Sequence, residues 1–221
     1  MPNHHADRLI AAREALCGAV KRMTFEGAGV AAVYNPIDYA RPMADAYIRT
    51  YVDGPRRVLM FGMNPGPWGM AQNGVPFGEV AAVRDFLKLD APIGQPTGWS
   101  GVHPKRPIEG MACTRSEVSG RRVWALLKDR YGDAATALGD LHVLNFCPLV
   151  FMGETGKNIT PDRLVAADVS DAGNNITIDL SIDRAVESFD DNEEGTLILF
   201  GGSYEQSADF SQKSITVKLG D

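Results

Sequence analysis

Arg57-Val58-Leu59-Met60-Phe61-Gly62-Met63-Asn64-Pro65-Gly66-Pro67 reads as a strand that stops abruptly. Five residues from Arg57 to Phe61 are mostly apolar, too few for a helix and short enough for a strand buried on both faces. Gly62 through Pro67 then forbids any regular continuation, because two prolines fix φ and two glycines break the pattern. A second run, Leu141-His142-Val143-Leu144-Asn145-Phe146, behaves in the same way and is stopped by Cys147-Pro148. Between and around these runs lie segments of helical period. Leu9, Ala12, Leu16, Val20 and Met23 recur at spacings of three and four, and Met43 to Tyr51, Val80 to Leu89 and Arg121 to Tyr131 also read as helices. Val30 to Tyr34 reads as a short extended piece, Thr196 to Phe200 as a third strand and Ser214 to Leu219 as a fourth. Thr160-Pro161 reads as an N-cap followed by proline at the first helical position. Strands alternating with helices imply an α/β layered domain around a mainly parallel sheet. Sites in such sheets form beyond the carboxyl ends of the strands, where both Asn64 and Asn145 fall.

The 221 residues fit one α/β domain with a sizeable core. No apolar run reaches the roughly 18 residues that span a bilayer, and the first residues lack the basic-then-apolar pattern of a secretory signal. Three scattered cysteines, Cys17, Cys113 and Cys147, supply neither a CxxC pair nor a cluster's ligand set. They read as reduced, buried thiols of a cytoplasmic or nuclear protein. A net charge of −6 weighs mildly against nucleic acid as partner. That charge is concentrated, however. Residues 162–194 hold ten acids against Arg163 and Arg184, and the rest of the chain carries 20 Lys+Arg against 18 Asp+Glu. A local basic face is therefore compatible with the sequence. Residues 165–195 are polar and poorly periodic and read as an excursion from the domain.

Several residues are candidates for chemistry. Asn64 lies in a proline-stiffened turn that can present backbone N–H groups and one carboxamide; the plainer reading is an Asn serving the turn itself. Phe77, between Pro76 and Gly78, is an aromatic outside any periodic element, able to stack on a planar base or simply to face the core. Asn145 ends an apolar strand, so its amide needs partners. An amide offers an acceptor and a donor side by side, which matches the N3–H and O4 edge of uracil and mismatches cytosine; the alternative is an Asn capping a neighbouring loop. His103-Pro104-Lys105-Arg106-Pro107 is a basic loop that either touches phosphate or is a solvated turn. Gly153-Glu154-Thr155-Gly156-Lys157-Asn158 fails the spacing of a nucleotide-phosphate loop, although a Gly-Lys-Asn turn can still hold a DNA phosphate. No Gly-x-Ser-x-Gly elbow exists, and the histidines have no partners at metal spacing.

Taken together, these segments resemble a known family. Residues 58–79 closely resemble the first active-site motif of the single-strand-selective monofunctional uracil-DNA glycosylases. The similarity continues through His103–Pro107, Ser116–Gly120, Asn145–Leu149 and Gly156–Pro161, roughly residues 30–164 in all. The resemblance implies a uracil-DNA glycosylase-like fold, three α/β/α layers with a central four-stranded sheet, across residues 1–221. It implies a DNA-repair glycosylase that hydrolyses the N-glycosidic bond of uracil, and of 5-hydroxymethyluracil, after base flipping. Asn64 would position the hydrolytic water, Phe77 would stack on the base, and Asn145 would bind the uracil edge. Backbone at Gly62 and Met63 would contact the pyrimidine carbonyl, and Gly66 and Met70 would line the side where C5 substituents are read. Lys105, Arg106, Thr155, Gly156, Lys157, Asn158 and Thr160 would lie against DNA. No metal or cofactor is implied. The expected partner is DNA containing uracil or an oxidised pyrimidine, with no membrane contact and a monomeric state. One departure bears on activity. The family's late His-Pro-Ser-Pro loop, whose histidine stabilises the leaving base, has no counterpart in these residues, and no histidine follows His142. The expectation is a truncated, frameshifted or divergent member with impaired activity; a non-catalytic binder of uracil-containing or damaged DNA is the alternative. An unrelated small-molecule enzyme of the same fold class is the third.

Overall fold

A computed structural model describes residues 4–25, 29–99, 101–164, 170–171, 194–200 and 214–220. In chain order the elements are α1 His4–Val20, β1 Met23–Thr24, β2 Ala32–Tyr34, α2 Pro36–Tyr39, α3 Arg41–Tyr51, β3 Val58–Gly62, α4 Met70–Asn73 and α5 Val80–Asp85. There follow α6 Val118–Tyr131, α7 Ala134–Asp140, β4 Leu141–Asn145, β5 Val150–Met152, β6 Asn158–Ile159, β7 Ser170–Asp171, β8 Glu194–Phe200 and β9 Ser214–Gly220.

The two apolar runs that decided the reading are neighbours in one sheet. Its order is β4-β3-β8-β9, and every pairing in it is parallel. The class is therefore mixed α/β, as expected from the alternation. Two antiparallel sheets were not anticipated: β2-β5-β6 and the pair β1-β7. Their strands are only two or three residues long, too short for alternation to register in a sequence.

The largest core cluster joins Met60 of β3 and Leu141 and Val143 of β4 to four helices. Tyr47 and Tyr51 come from α3, Val83 from α5, Trp124 and Leu127 from α6, and Ala137 and Leu138 from α7. Burying a large apolar side chain contributes about 1.5–3 kcal/mol, so this cluster fixes the helices onto the strands. A second cluster, with Phe25, Val33, Leu149 and Phe151, anchors the antiparallel β2-β5 pair.

Several helix ends differ from the sequence expectation: α1 ends at Val20, with Met23 in β1, and α3 and α6 begin at Arg41 and Val118. α5 stops at Asp85 rather than Leu89. Leu87 and Leu89 N–H groups turn back to the Ala82 and Val83 carbonyls, and Lys88 takes a φ of 53°, which no α-helix continues through. The Thr160-Pro161 signal starts a single 3₁₀ turn, Pro161–Arg163, and the Thr160 side chain makes no capping bond. Acidic side chains cap α5, α6 and α7. Glu79 accepts from Ala82 N at 2.8 Å, Glu117 from Ser119 N and Gly120 N, and Asp133 from Thr136 N. The excursion read at 165–195 lies outside the described residues except at 170–171 and 194–195.

Candidate active site at the carboxyl edge of the sheet

Gly62 and Asn145 are the last residues of β3 and β4, and they stand opposite each other in register. In a parallel pair, facing residues project to the same side of the sheet. The missing side chain of Gly62 is therefore the space that the Asn145 carboxamide occupies. A Cβ at Gly62 would collide with Asn145 Oδ1 and would come within 2.7 Å of Phe77 Cζ. One glycine thus brings Phe77 and Asn145, 68 residues apart in sequence, to the same point. Met70 joins them, its thioether sulfur 3.1 Å from Asn145 Nδ2.

The loop after β4 is sewn to the loop after β3. Phe146 N donates to the Gly62 carbonyl at 2.7 Å, and Cys147 N to the Met63 carbonyl at 2.9 Å. Asn64 follows at once. Its Nδ2 donates to the Leu149 and Ile159 carbonyls, both at 3.3 Å. With both amide hydrogens directed at carbonyls, Oδ1 is left as an acceptor bonded to no described residue. Met63, Asn64, Gly66, Phe77 and Asn145 are each half-buried, whereas Phe61, Gly62, Pro65 and most residues of 70–80 are buried. That pattern places these residues at the partly exposed edge of the sheet rather than in solid core.

Phe77 is held in an uncommon conformation. Its φ is 52°, a left-handed value that costs a bulky residue on the order of 1–2 kcal/mol. The surroundings impose it. The Phe77 carbonyl accepts from Glu79 N at 2.7 Å and from Trp124 Nε1 at 2.9 Å. Gly120 of α6 lies so close to that carbonyl that a Cβ there would strike it. On the near side, Asn73 bridges the loop, donating to the Gly78 carbonyl at 2.6 Å and accepting from Val75 N at 3.0 Å.

Gln72 is fully buried and uses its whole amide. It donates to the carbonyls of Pro67 and Pro107 and accepts from Glu109 N and Gly110 N. It thereby locks the first-motif loop to the basic loop. Sequence reading missed Gln72, Asn73, Gly120 and Trp124. The only signal available was a set of polar or aromatic residues inside otherwise apolar stretches, and nothing in sequence spacing says which distant carbonyl each one reaches.

The basic loop and the 153–158 turn meet. His103 Nδ1 accepts from Lys105 N at 3.1 Å, and Nε2 lies 3.0 Å from the Glu154 carbonyl, which fixes the neutral Nε2–H tautomer. A Cβ at Gly156 would touch the His103 ring and Lys105 Cβ. Tyr34 hydroxyl accepts from His103 N and donates to the Arg106 carbonyl, both at 2.8 Å. Lys105, Thr155 and Lys157 are exposed, while Arg106, Asn158 and Thr160 are half-buried. His142 is a core residue. It stacks on Tyr47 with ring centroids 5.5 Å apart, and burial, with a lesser contribution from Arg56, lowers its imidazole to about 4. Burial likewise pushes the Cys147 thiol up to about 12, so it is inert.

Fold and site together define an α/β protein with a carboxamide-and-phenyl cluster at the carboxyl edge of a parallel sheet. Comparison with known proteins makes this more specific. The single-strand selective monofunctional uracil DNA glycosylase of Bos taurus is 47% identical over 137 residues, 62% of this chain and 49% of the bovine protein. Those of Mus musculus and Rattus norvegicus are 46% and 45% identical over 137 residues, 62% of this chain and 48% of each relative. Over that segment the chain is homologous to the single-strand selective monofunctional uracil-DNA glycosylases. The chain spans about half the length of the curated relatives it matches. No protein-family model matches it. The crystal structure of wild-type Pedobacter heparinus SMUG2 superposes with a TM-score of 0.49 at 14% identity, covering 96% of this chain and 85% of that one.

Proposed function

We propose that this chain carries the base-recognition and water-positioning parts of a DNA-repair glycosylase acting on uracil, and on 5-hydroxymethyluracil, in single- and double-stranded DNA. The parallel sheet is then the middle of three α/β/α layers in a uracil-DNA glycosylase-like domain. The observation that carries the reading is the register of Gly62 against Asn145 with Phe77 closing on the same point.

The chemistry follows from those groups. A flipped base leaves its stack at a cost of a few kcal/mol, less from a single strand. Phe77 offers it a replacement ring face. Asn145 offers an acceptor for N3–H and a donor for O4. Its present partner, a thioether, is a weak acceptor, so the amide gives it up at little cost. Cleavage builds positive charge on the sugar and negative charge on the leaving base, and donors already aimed at the base carbonyl stabilise that anion. Asn64 is neutral and takes no proton. Its Oδ1 accepts a hydrogen bond from water and turns the water's lone pair toward C1′. Gly66 and Met70 face the C5 side.

The two described histidines outside α1 are occupied, His103 by backbone and His142 by the core. Among the described residues, the groups left to face a leaving base are therefore amides, which keeps the non-catalytic binder as a second reading. Incubation with a single-stranded uracil oligonucleotide tests both. Release of free uracil, reduced about 100-fold or more by Asn64→Ala, supports hydrolysis. Saturable uracil-dependent binding with no release supports the binder. Equal affinity for the thymine counterpart rejects both.

A further inference from the structure

Trp68 lies in the first-motif loop, two residues from Met70, and two cations converge on it. The Arg106 guanidinium sits 4.9 Å from its ring centroid and that of Arg115 sits 4.8 Å away. An indole has two faces, each able to stack one guanidinium. Two like charges brought to one indole repel each other and call for an anion. No described carboxylate forms an ion pair with either arginine, nor with the nearby Lys105 and Lys157. Glu117, whose side chain lies against Gly66 and Gly69, spends both oxygens on the α6 N-terminus. Glu109 forms no described ion pair. Arg106 gives one Nη1 bond to the Lys105 carbonyl, and its buried Nε has no partner. Arg115 is exposed, and its N–H donors bond no described residue.

Resting on the function proposed above, we infer that Trp68, Arg106 and Arg115 form a phosphate clamp for the single-stranded DNA backbone beside the extruded nucleotide. Trp68 is the platform. It holds two planar forks in place, so little rotamer freedom is lost when they close on phosphate oxygens. Because Trp68 shares a rigid loop with Met70, the gripped phosphate is adjacent to the base recess. Lys105 and Lys157, joined through the Gly156 contact, continue the positive strip.

The salt dependence of binding reads this directly. The probe is a short single-stranded oligodeoxynucleotide carrying one uracil, titrated into the full chain by anisotropy at several salt concentrations. Each lost phosphate contact lowers the magnitude of the slope of log K against log salt by about 0.7 for a single strand. Arg115→Gln and Arg106→Gln are each expected to lower it by that amount and to weaken binding several-fold. Trp68→Leu is expected to weaken binding as well, with Trp68→Phe restoring most of it. Arg49→Gln, at an exposed arginine paired with Asp7, is expected to keep the slope. A merely structural stack would not move the slope. If Arg115→Gln and Arg106→Gln keep the wild-type slope while the wild type binds DNA, the clamp is wrong and the glycosylase reading stands. If the wild type binds no DNA, both fall.

Discussion

The wall of the proposed recess and the basic strip beside it are built on opposite rules. The wall, residues 62–79 with Asn145, is made of saturated bonds and forced geometry. Every amide in it other than those at the recess is consumed, and an aromatic is held at a φ of 52° by α6. The strip, from Lys105 to Arg115 with Lys157, is made of charges without described counter-ions. The wall specifies shape, where an error of an ångström matters. On the proposed function the strip supplies attraction, which tolerates displacement and is weakened by salt.

Changes to the wall should therefore act sharply. Gly62→Val should have the largest effect, because the new side chain takes the place of the Asn145 amide and the Phe77 ring tip. Uracil release or uracil-dependent binding is expected to fall about 100-fold or more, checked against a circular dichroism spectrum that shows a folded chain. Gln72→Leu should come next. It strands the Pro67 and Pro107 carbonyls and the Glu109 and Gly110 N–H groups. At about 1–3 kcal/mol for each buried group left unpaired, urea unfolding is expected to lose about 3 kcal/mol or more. A loss below 1 kcal/mol would mean that the two loops are not locked together by this amide.

The pH response belongs to the core beneath both regions. His142 is lowered from its usual 6.5 to about 4 by burial. Since the folded value lies below the unfolded one, the stability it contributes is full above about 6.5 and is lost as pH falls toward 4. Lowering pH from 7 to 5 should cost on the order of 2 kcal/mol through this group, and His142→Gln should flatten that part of the profile. Trp124→Phe should be the mildest change. It removes one donor from the Phe77 carbonyl, and is expected to cost about 1 kcal/mol and to raise KM more than it lowers kcat.

The strands β3 and β4 were legible as short apolar runs cut off by glycine and proline, and the long helices because burial on one face writes a period into the chain. The motif residues were legible as types: an Asn at the end of one strand, another just beyond the end of its neighbour, and a Phe between Pro and Gly. That Asn145 faces Gly62 was not, since register is a property of two segments at once. Nor was the distinct use of the two carboxamides. Asn145 turns toward Met70, whereas Asn64 turns its hydrogens onto Leu149 and Ile159. The expected role of His103–Pro107 as a freely solvated or phosphate-touching loop was incomplete. His103 itself is a buried pin, because its ring meets both Lys105 N and the Glu154 carbonyl.

The pairing of Gly62 with Asn145 also makes the site a proofreader of assembly. Were β4 to seat one position early or late, Gly62 would face Leu144 or Phe146, and the carboxamide would swing to the opposite side of the sheet. A misthreaded chain could keep its helices and much of its greasy interior yet have no recess for a pyrimidine. On the proposed function, uracil affinity retained in any variant would thus be a sensitive indicator that these two strands have found each other in the native alignment.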